Sequence, residues 1–341
     1  MNQVGGESQH QFVIAGRLAQ DYILPISGKP QINVLGGNLA YAAAGLNLWG
    51  GIAGLLARVS KDYPLDWLNQ FDDLGFDLSG VRTAPEKIDH RRFFAHIDPE
   101  TTHTHDPVKH FAERGLHFPP ELLGYRFEKE NGNHHENTEG LTIQISDVPE
   151  HYLEASAVHI CPIDPTSHLI LPSLFRQGLA STVTLSSDPT YMDPSYWEDI
   201  PGLLSEITAF HTEETEIRRL FQGRMADIWE MAAVLAGYGP EYVLVRTHAE
   251  GYYLYDRVGQ TRWVIPGYQT SIIDPTGRRD AFAGAFLLGY RENYDPLEGA
   301  LMGSLADSMV QEGCGVFYIL DALPGLLDKR LGVLRELVTE I

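Results

Sequence analysis

The chain has 341 residues and a net charge of −21 at pH 7, from 25 Lys+Arg against 46 Asp+Glu. At roughly 100–200 residues per domain, that length holds two ordinary domains or one large α/β domain. A hydrophobic share of 43% supports a substantial core and excludes a wholly disordered chain. The acidic balance argues against a nucleic-acid or anionic-membrane partner, since both ask for a basic footprint.

Residues 1–10 are polar and glycine-containing, and are expected to be disordered. The opening MNQVGGESQHQF has neither a basic n-region nor an apolar stretch, so it reads as neither signal peptide nor anchor. No run approaches the roughly eighteen apolar residues that span a bilayer. Phe12 to Gly16 is a short apolar run ending at glycine, as a buried strand would. Tyr22 to Leu35 alternates around Ser27-Gly28-Lys29-Pro30, which predicts a β-hairpin. Gly36-Gly37 opens a small-residue helix from Asn38 to Leu46, and a strand follows over Ile52 to Val59. Strand, helix, strand in that order is the grammar of a parallel sheet.

Residues 96–140 break this grammar. They hold His96, His103, His105, His110, His117, His134 and His135, and a polar run from Glu128 to Gly140. The default reading is a solvated surface insertion on a loop. His103-Thr104-His105-Asp106 is the sharpest metal candidate, but no HExxH or CxxC spacing supports it. Beyond the insertion, strands are predicted at Ala157–Cys161, Thr182–Ser186 and Tyr242–Arg246, the last with a hairpin partner at Tyr252–Tyr255. Helices are predicted at His168–Gln177, Ala281–Tyr290 and Leu297–Gln311. Cys161 and Cys314 are too few for a disulfide framework or a zinc ribbon, so a cytoplasmic, reducing location is expected.

The most informative segment is Asp274-Pro-Thr276-Gly277-Arg278-Arg279-Asp280-Ala-Phe282, where a strand end meets a turn and an aspartate starts a helix. The first N–H groups of a helix lack internal partners, and the helix dipole adds positive charge there, so such an end holds phosphate well. An aspartate in that turn can take a proton from a hydroxyl attacking the phosphate. Asp and Thr at such a place also serve simply as helix caps, and the segment alone leaves both readings open.

Asp274-x-Thr276-Gly277-x-x-Asp280-x-Phe282 resembles the C-terminal signature of the ribokinase/PfkB family of sugar and nucleoside kinases, usually D-T-x-G-A-G-D-x-F. Gly36-Gly37-Asn38-Leu39-Ala40 is similar to the family's N-terminal signature, and Asp21 matches an aspartate that precedes it. The resemblance runs from about residue 11 to 325, in one domain of residues 11–330, with residues 331–341 as a C-terminal helix end. It implies a three-layer α/β/α fold with a mostly parallel central sheet and a small β lid, at about 22–36 and 88–105. It implies ATP and magnesium as cofactors, with no direct protein cage for the metal, and a small-molecule sugar or nucleoside-like partner. A homodimer through the lid is also expected from it. Asp280 would be the catalytic base, and the amides of Gly277, Arg278, Arg279 and Asp280 the anion hole. Asp21, Gly36, Gly37, Asn38 and Tyr41 would line the acceptor site.

Departures fall mainly on the nucleotide side. Arg278 and Arg279 replace small residues in the anion hole. His211-Thr-Glu-Glu214 stands for the family's Asn-x-x-Glu, keeping the glutamate and changing the asparagine. The nucleotide loop becomes Arg246-Thr-His248-Ala-Glu-Gly251 and keeps only its last glycine, while Asp274 precedes the final turn. Tyr41 takes a place usually held by asparagine. Two readings follow. One is a kinase transferring the γ-phosphoryl of ATP to a hydroxyl, favoured by Asp280, Glu214, Asp21 and the glycine pair. The other is a kinase-fold metabolite-binding or regulatory protein without phosphoryl transfer, favoured by Arg279, His248 and His211.

Overall fold

The computed structural model describes residues 11–125, 128–130, 133–135, 140–248, 250–323 and 325–341. The expected disorder of residues 1–10 and part of the histidine-rich insertion lie outside these residues. The first half of the chain runs β1 (Phe12–Ala15), β2 (Ala19–Leu24), β3 (Gln31–Gly36), α1 (Asn38–Asn47), β4 (Ala53–Val59), α2 (Leu65–Asp73), β5 (Asp77–Thr83), β6 (Arg91–His96), β7 (Thr102–His103) and α3 (Pro107–Glu113). Two short strands, β8 (Glu128–Glu130) and β9 (Asn133–His135), pair with each other. The second half runs β10 (Ala157–Ile160), α4 (Pro165–Gln177), β11 (Thr182–Ser186), α5 (Ile200–Leu204), β12 (Ala209–Glu213), α6 (Glu214–Leu220), α7 (Ile228–Gly237) and β13 (Tyr242–Thr247). It ends with β14 (Gly251–Asp256), β15 (Thr261–Ile265), α8 (Arg278–Asn293), α9 (Pro296–Val310), α10 (Leu326–Leu337) and β16 (Thr339–Glu340).

The main sheet has ten strands in the order β16-β15-β14-β13-β12-β11-β10-β1-β4-β5. From β5 to β13 every pairing is parallel, and β14 to β16 add antiparallel strands at one edge. Both faces of the parallel part are covered, which is why β1, β10 and β11 are buried along their whole length without alternation. One face packs against α1, α8 and α9 through Leu39, Phe282, Phe286 and Leu305. The other packs against α4, α6 and α7 through Phe175, Leu220 and Leu235. This is the three-layer α/β/α architecture expected from the sequence. Two helices begin earlier than composition alone suggests. Asp164 caps the amides of Thr166 and Ser167, with Pro165 in the first helical turn, so α4 starts before His168. Gly277 at φ 77° sets the start of α8 at Arg278 instead of Ala281.

A separate four-stranded sheet, ordered β3-β2-β6-β7, forms the lid. The predicted hairpin is β2/β3, and β6 joins β2 in parallel. The expectation of a solvated loop after the lid needs correction. Phe111 of α3 and Leu122 pack with Tyr22 and Phe93, so this segment covers one face of the lid with a small apolar core. His96 and His110 are buried. Among the described residues no group of three metal-ligating side chains is assembled, and no helix is long and apolar enough to cross a membrane.

Two histidines lie inside the main sheet. His159 meets Thr184 Oγ1 at 2.8 Å, whereas both ring nitrogens of His211 are buried without a hydrogen-bond partner. His211 sits edge-on to Phe286 at 4.8 Å between ring centres. Burial, reinforced for both rings by Arg279 and for His211 also by His159, holds both well below the ordinary 6.5, His159 at about 3. Below pH 6.5 the unfolded chain therefore takes up protons that the folded chain refuses, and stability falls with pH. Melting temperature should be steady above neutrality and decline as pH drops from about 6.5 toward 5. His211→Leu leaves no new orphaned group and should flatten that decline by about one proton's slope, near 1.4 kcal/mol per pH unit. An unchanged slope in the variant would contradict the buried, neutral state of His211.

Candidate active site

The turn between β3 and α1 brings the lid onto the main sheet. Gly37 at φ 103° is the N-cap of α1. Asn38 ties this turn down: its Oδ1 accepts from the Arg17 amide at 2.7 Å, and its Nδ2 donates to the Pro162 carbonyl at 2.6 Å. Asp21 is fully buried on β2, and its carboxylate lies directly over Gly36, where an added Cβ would come within 1.9 Å of Oδ2. The carboxylate is held by Arg92 of β6, whose Nε and Nη2 donate to Oδ1 and Oδ2, both at 2.8 Å. At least two of the carboxylate's roughly four acceptor positions are thus taken.

The opposite wall is the 274–280 turn. The Asp274 carboxylate accepts from the Thr276 amide at 3.0 Å, and Thr276 Oγ1 lies 2.8 Å from His96 Nε2. The same His96 nitrogen is 3.3 Å from Asp274 Oδ1, so lid strand β6 is pinned to this turn. A backbone bond from the Ile26 amide to the Ile273 carbonyl, 2.9 Å, fastens the lid hairpin there too. Gly277 is left-handed, and a Cβ on it would fall 2.1 Å from the ring of Tyr41. Only glycine meets both demands. Tyr41 is buried on α1, and burial first, then Asp274 and Asp21, raises its phenol well above the ordinary 10. Its ring therefore lies between the two walls.

Arg278, Arg279 and Asp280 form the first turn of α8, whose N-cap is Gly277. Asp280 is half-buried. The guanidinium of Arg279 turns toward β11 and α6. It donates to Glu216 Oε1 at 2.8 Å, to Ser187 Oγ at 2.8 Å and to the Ser187 carbonyl. Glu216 also accepts from Ser187 Oγ and from Thr212 Oγ1. Burial pushes the Glu216 carboxyl up, opposed by Arg279; burial works against the charge of Arg279 too, but Glu216, Glu213 and Asp280 together outweigh it and hold Arg279 charged. Glu214, the expected partner of the nucleotide side, instead pairs with Arg218 at 2.8 Å along α6. His211 lies in the core beside α8.

Arg278 turns the other way, to the lid tip. Its Nη1 donates to the Pro99 carbonyl at 2.9 Å, and Nη1 and Nη2 lie 3.3 and 3.1 Å from the two oxygens of Glu100. Arg246 at the end of β13 reaches Glu100 Oε1 at 3.1 Å, and His248 Nδ1 meets Oε2 at 2.6 Å. Burial alone would raise the Glu100 carboxyl, but Arg246 and Arg278 outweigh it and hold it at about 2. Gly251 opens β14 beyond this turn.

The structure thus brings Asp21, Gly36, Gly37, Tyr41, Asp274 and Gly277 together where the lid meets the main sheet, and gathers Arg246, His248 and Arg278 around Glu100. Sequence reading missed Arg92, Glu100 and Glu216, because each acts through a partner distant in the chain. Glu216 stands two residues past the motif glutamate, and helical spacing from β12 was the one signal available. Removing its charge takes away the one carboxylate ion-paired directly with the buried Arg279 among the described residues. Glu216→Gln should cost about 3 kcal/mol in denaturant unfolding, and adding Arg279→Gly should recover part of it. Equal stability of wild type and Glu216→Gln would contradict a structural ion pair.

Residues 159–313 match the model of the pfkB family carbohydrate kinases. The chain is similar to a cytidine kinase of Thermococcus kodakarensis, 26% identical over 84% of this chain and 90% of that one. Its fold is similar to a Methanocaldococcus jannaschii nucleoside kinase described as an archaeal member of the ribokinase family. That match has a TM-score of 0.65 at 19% identity, over 95% of this chain and 99% of the other. It is also similar to a ribokinase II of E. coli in complex with ATP and magnesium, with a TM-score of 0.70 at 13% identity over 95% and 99% of the two chains. With the Gly36-Gly37 and Asp274-to-Phe282 signatures brought together around Tyr41, the chain is similar to the PfkB/ribokinase carbohydrate and nucleoside kinases in sequence over residues 159–313 and in overall fold.

Proposed function

We propose that this protein transfers the γ-phosphoryl group of ATP to a hydroxyl of a nucleoside or related sugar. The observation that carries the reading is the first turn of α8. Its N-cap is Gly277, which has no side chain, Asp280 stands in the same turn, and both neighbouring guanidiniums are drawn aside, Arg279 to Glu216 and Arg278 to Glu100. The substitutions that favour a binding protein therefore need not block the anion hole. The similarity to nucleoside kinases supports a nucleoside over a simple hexose.

In this reading the acceptor lies against the Gly36 and Gly37 backbone beneath the lid, with Asp21 and its Arg92 partner beside the sugar. Asp280 takes the proton from the attacking hydroxyl. The oxygen adds to the γ-phosphorus as the bond to the ADP oxygen breaks, and the amides of Gly277 to Asp280 receive the charge on the equatorial oxygens. Magnesium bound with the nucleotide would neutralise charge on the donor's phosphates.

ATP consumption measured over a panel of nucleosides, sugars and polyols should identify an acceptor. With that acceptor, Asp280→Asn should lower kcat by about two to four powers of ten, with KM little changed. Near-normal turnover in the variant would remove Asp280 as base. Failure of every acceptor, with intact nucleotide binding, would favour the metabolite-binding reading.

A further inference from the structure

The carboxylate of Glu100 is the lid's contribution to the nucleotide side. Glu100 sits at the tip of the β6/β7 hairpin, in a turn built by Asp98, whose Oδ1 accepts from the amides of Glu100 and Thr101 at 2.9 and 2.8 Å. From there it reaches residues 146 to 178 positions away in sequence. Arg246 comes from the end of β13, His248 from the turn that follows and Arg278 from the first turn of α8. All three converge on one carboxylate. Arg246 is itself fixed from behind, with Asp307 Oδ2 at 3.7 Å and Tyr252 donating to the same oxygen at 2.6 Å.

Two guanidiniums and an imidazole converging on one small anion, beside the first turn of α8, make a receptor suited to phosphate oxygens. Here the anion is supplied by the protein. We propose that Arg246, His248 and Arg278 form a polyphosphate receptor whose resident ligand is the lid carboxylate of Glu100, so that the donor's phosphates and the closed lid tip compete for the same cations. The inference rests on the kinase reading only for the identity of the donor. The competition itself concerns binding.

The consequence is a lid latched without ligand and loosened by the donor. A receptor occupied by its own carboxylate is available to a donor only in the fraction of molecules with the latch open, and apparent affinity falls by that fraction. Arg278 also holds the Pro99 carbonyl, so release of Glu100 frees the turn as a whole.

The test uses the full chain with inorganic triphosphate and magnesium–ATP as probes, in calorimetric titrations of wild type, Glu100→Gln and Glu100→Asp, with amide hydrogen exchange followed over residues 91–103. Glu100→Gln keeps the shape and removes the charge. It should bind both probes at least about tenfold more tightly than wild type, and its lid amides should exchange faster without ligand. Wild-type lid amides should quicken when triphosphate is added, and Glu100→Asp should fall between the two. Equal or weaker probe binding by Glu100→Gln, or lid exchange indifferent to both charge and triphosphate, overturns the proposal. Competition observed in a protein that phosphorylates no acceptor would sustain it while removing the kinase reading.

Discussion

Helices α1 and α8 cross so closely that a Cβ on Gly45 would lie 2.0 Å from the Ala281 carbonyl oxygen, and one on Gly284 would lie 1.8 Å from that of Ala42. The alanines and glycines of both helices exist for this approach. It fixes the N-terminus of α1, which carries the glycine pair, relative to the N-terminus of α8, which carries the Asp280 turn. Tyr41 then fills the remaining gap, with Gly277 bare against its ring. Signatures separated by most of the chain become two walls of one cleft because the helices that follow them have no room to slide.

Charge is the second constraint. Two arginines in the first turn of α8 oppose the helix dipole, which favours negative charge at that end. The fold answers each with a carboxylate from a different layer, Glu216 from α6 and Glu100 from the lid. The two answers differ in kind. Glu216 is buried and bonded by Ser187 and Thr212 as well, so Arg279 behaves as part of the core. Glu100 is partly exposed on a hairpin tip, so Arg278 is bound to something that can leave. A relation between lid position and charge on the nucleotide side follows from that difference.

Much of the fold was legible because it rests on local pattern. Short apolar runs gave the parallel strands, the first of them closed by Gly16, Ser27 to Pro30 gave the lid hairpin, and small-residue segments gave α1, α8 and α9. The insertion was misread because its histidines and polar residues suggested solvent, while Phe111 and Leu122 each needed Tyr22 and Phe93, far away in sequence, to form a core. At the site, motif spacing marked the backbone features, Gly36, Gly37 and Gly277, since a turn dictates its own residues. Side-chain pairings were not legible. Nothing local to Asp21 announces Arg92, and nothing local to Arg278 announces Glu100. The choice between Glu214 and Glu216 as the carboxylate facing α8 depends on how α6 leaves β12, which the sequence leaves open.

The most direct test is a crystal structure with magnesium–ADP, aluminium fluoride and an accepted nucleoside. The planar fluoride should rest on the amides of Gly277 to Asp280, with the Asp280 carboxylate on the nucleoside hydroxyl and Arg279 still paired with Glu216. A fluoride bound away from the α8 N-terminus, or the Arg279 guanidinium occupying that position in its place, would contradict the assignment of this turn as the centre of phosphoryl transfer.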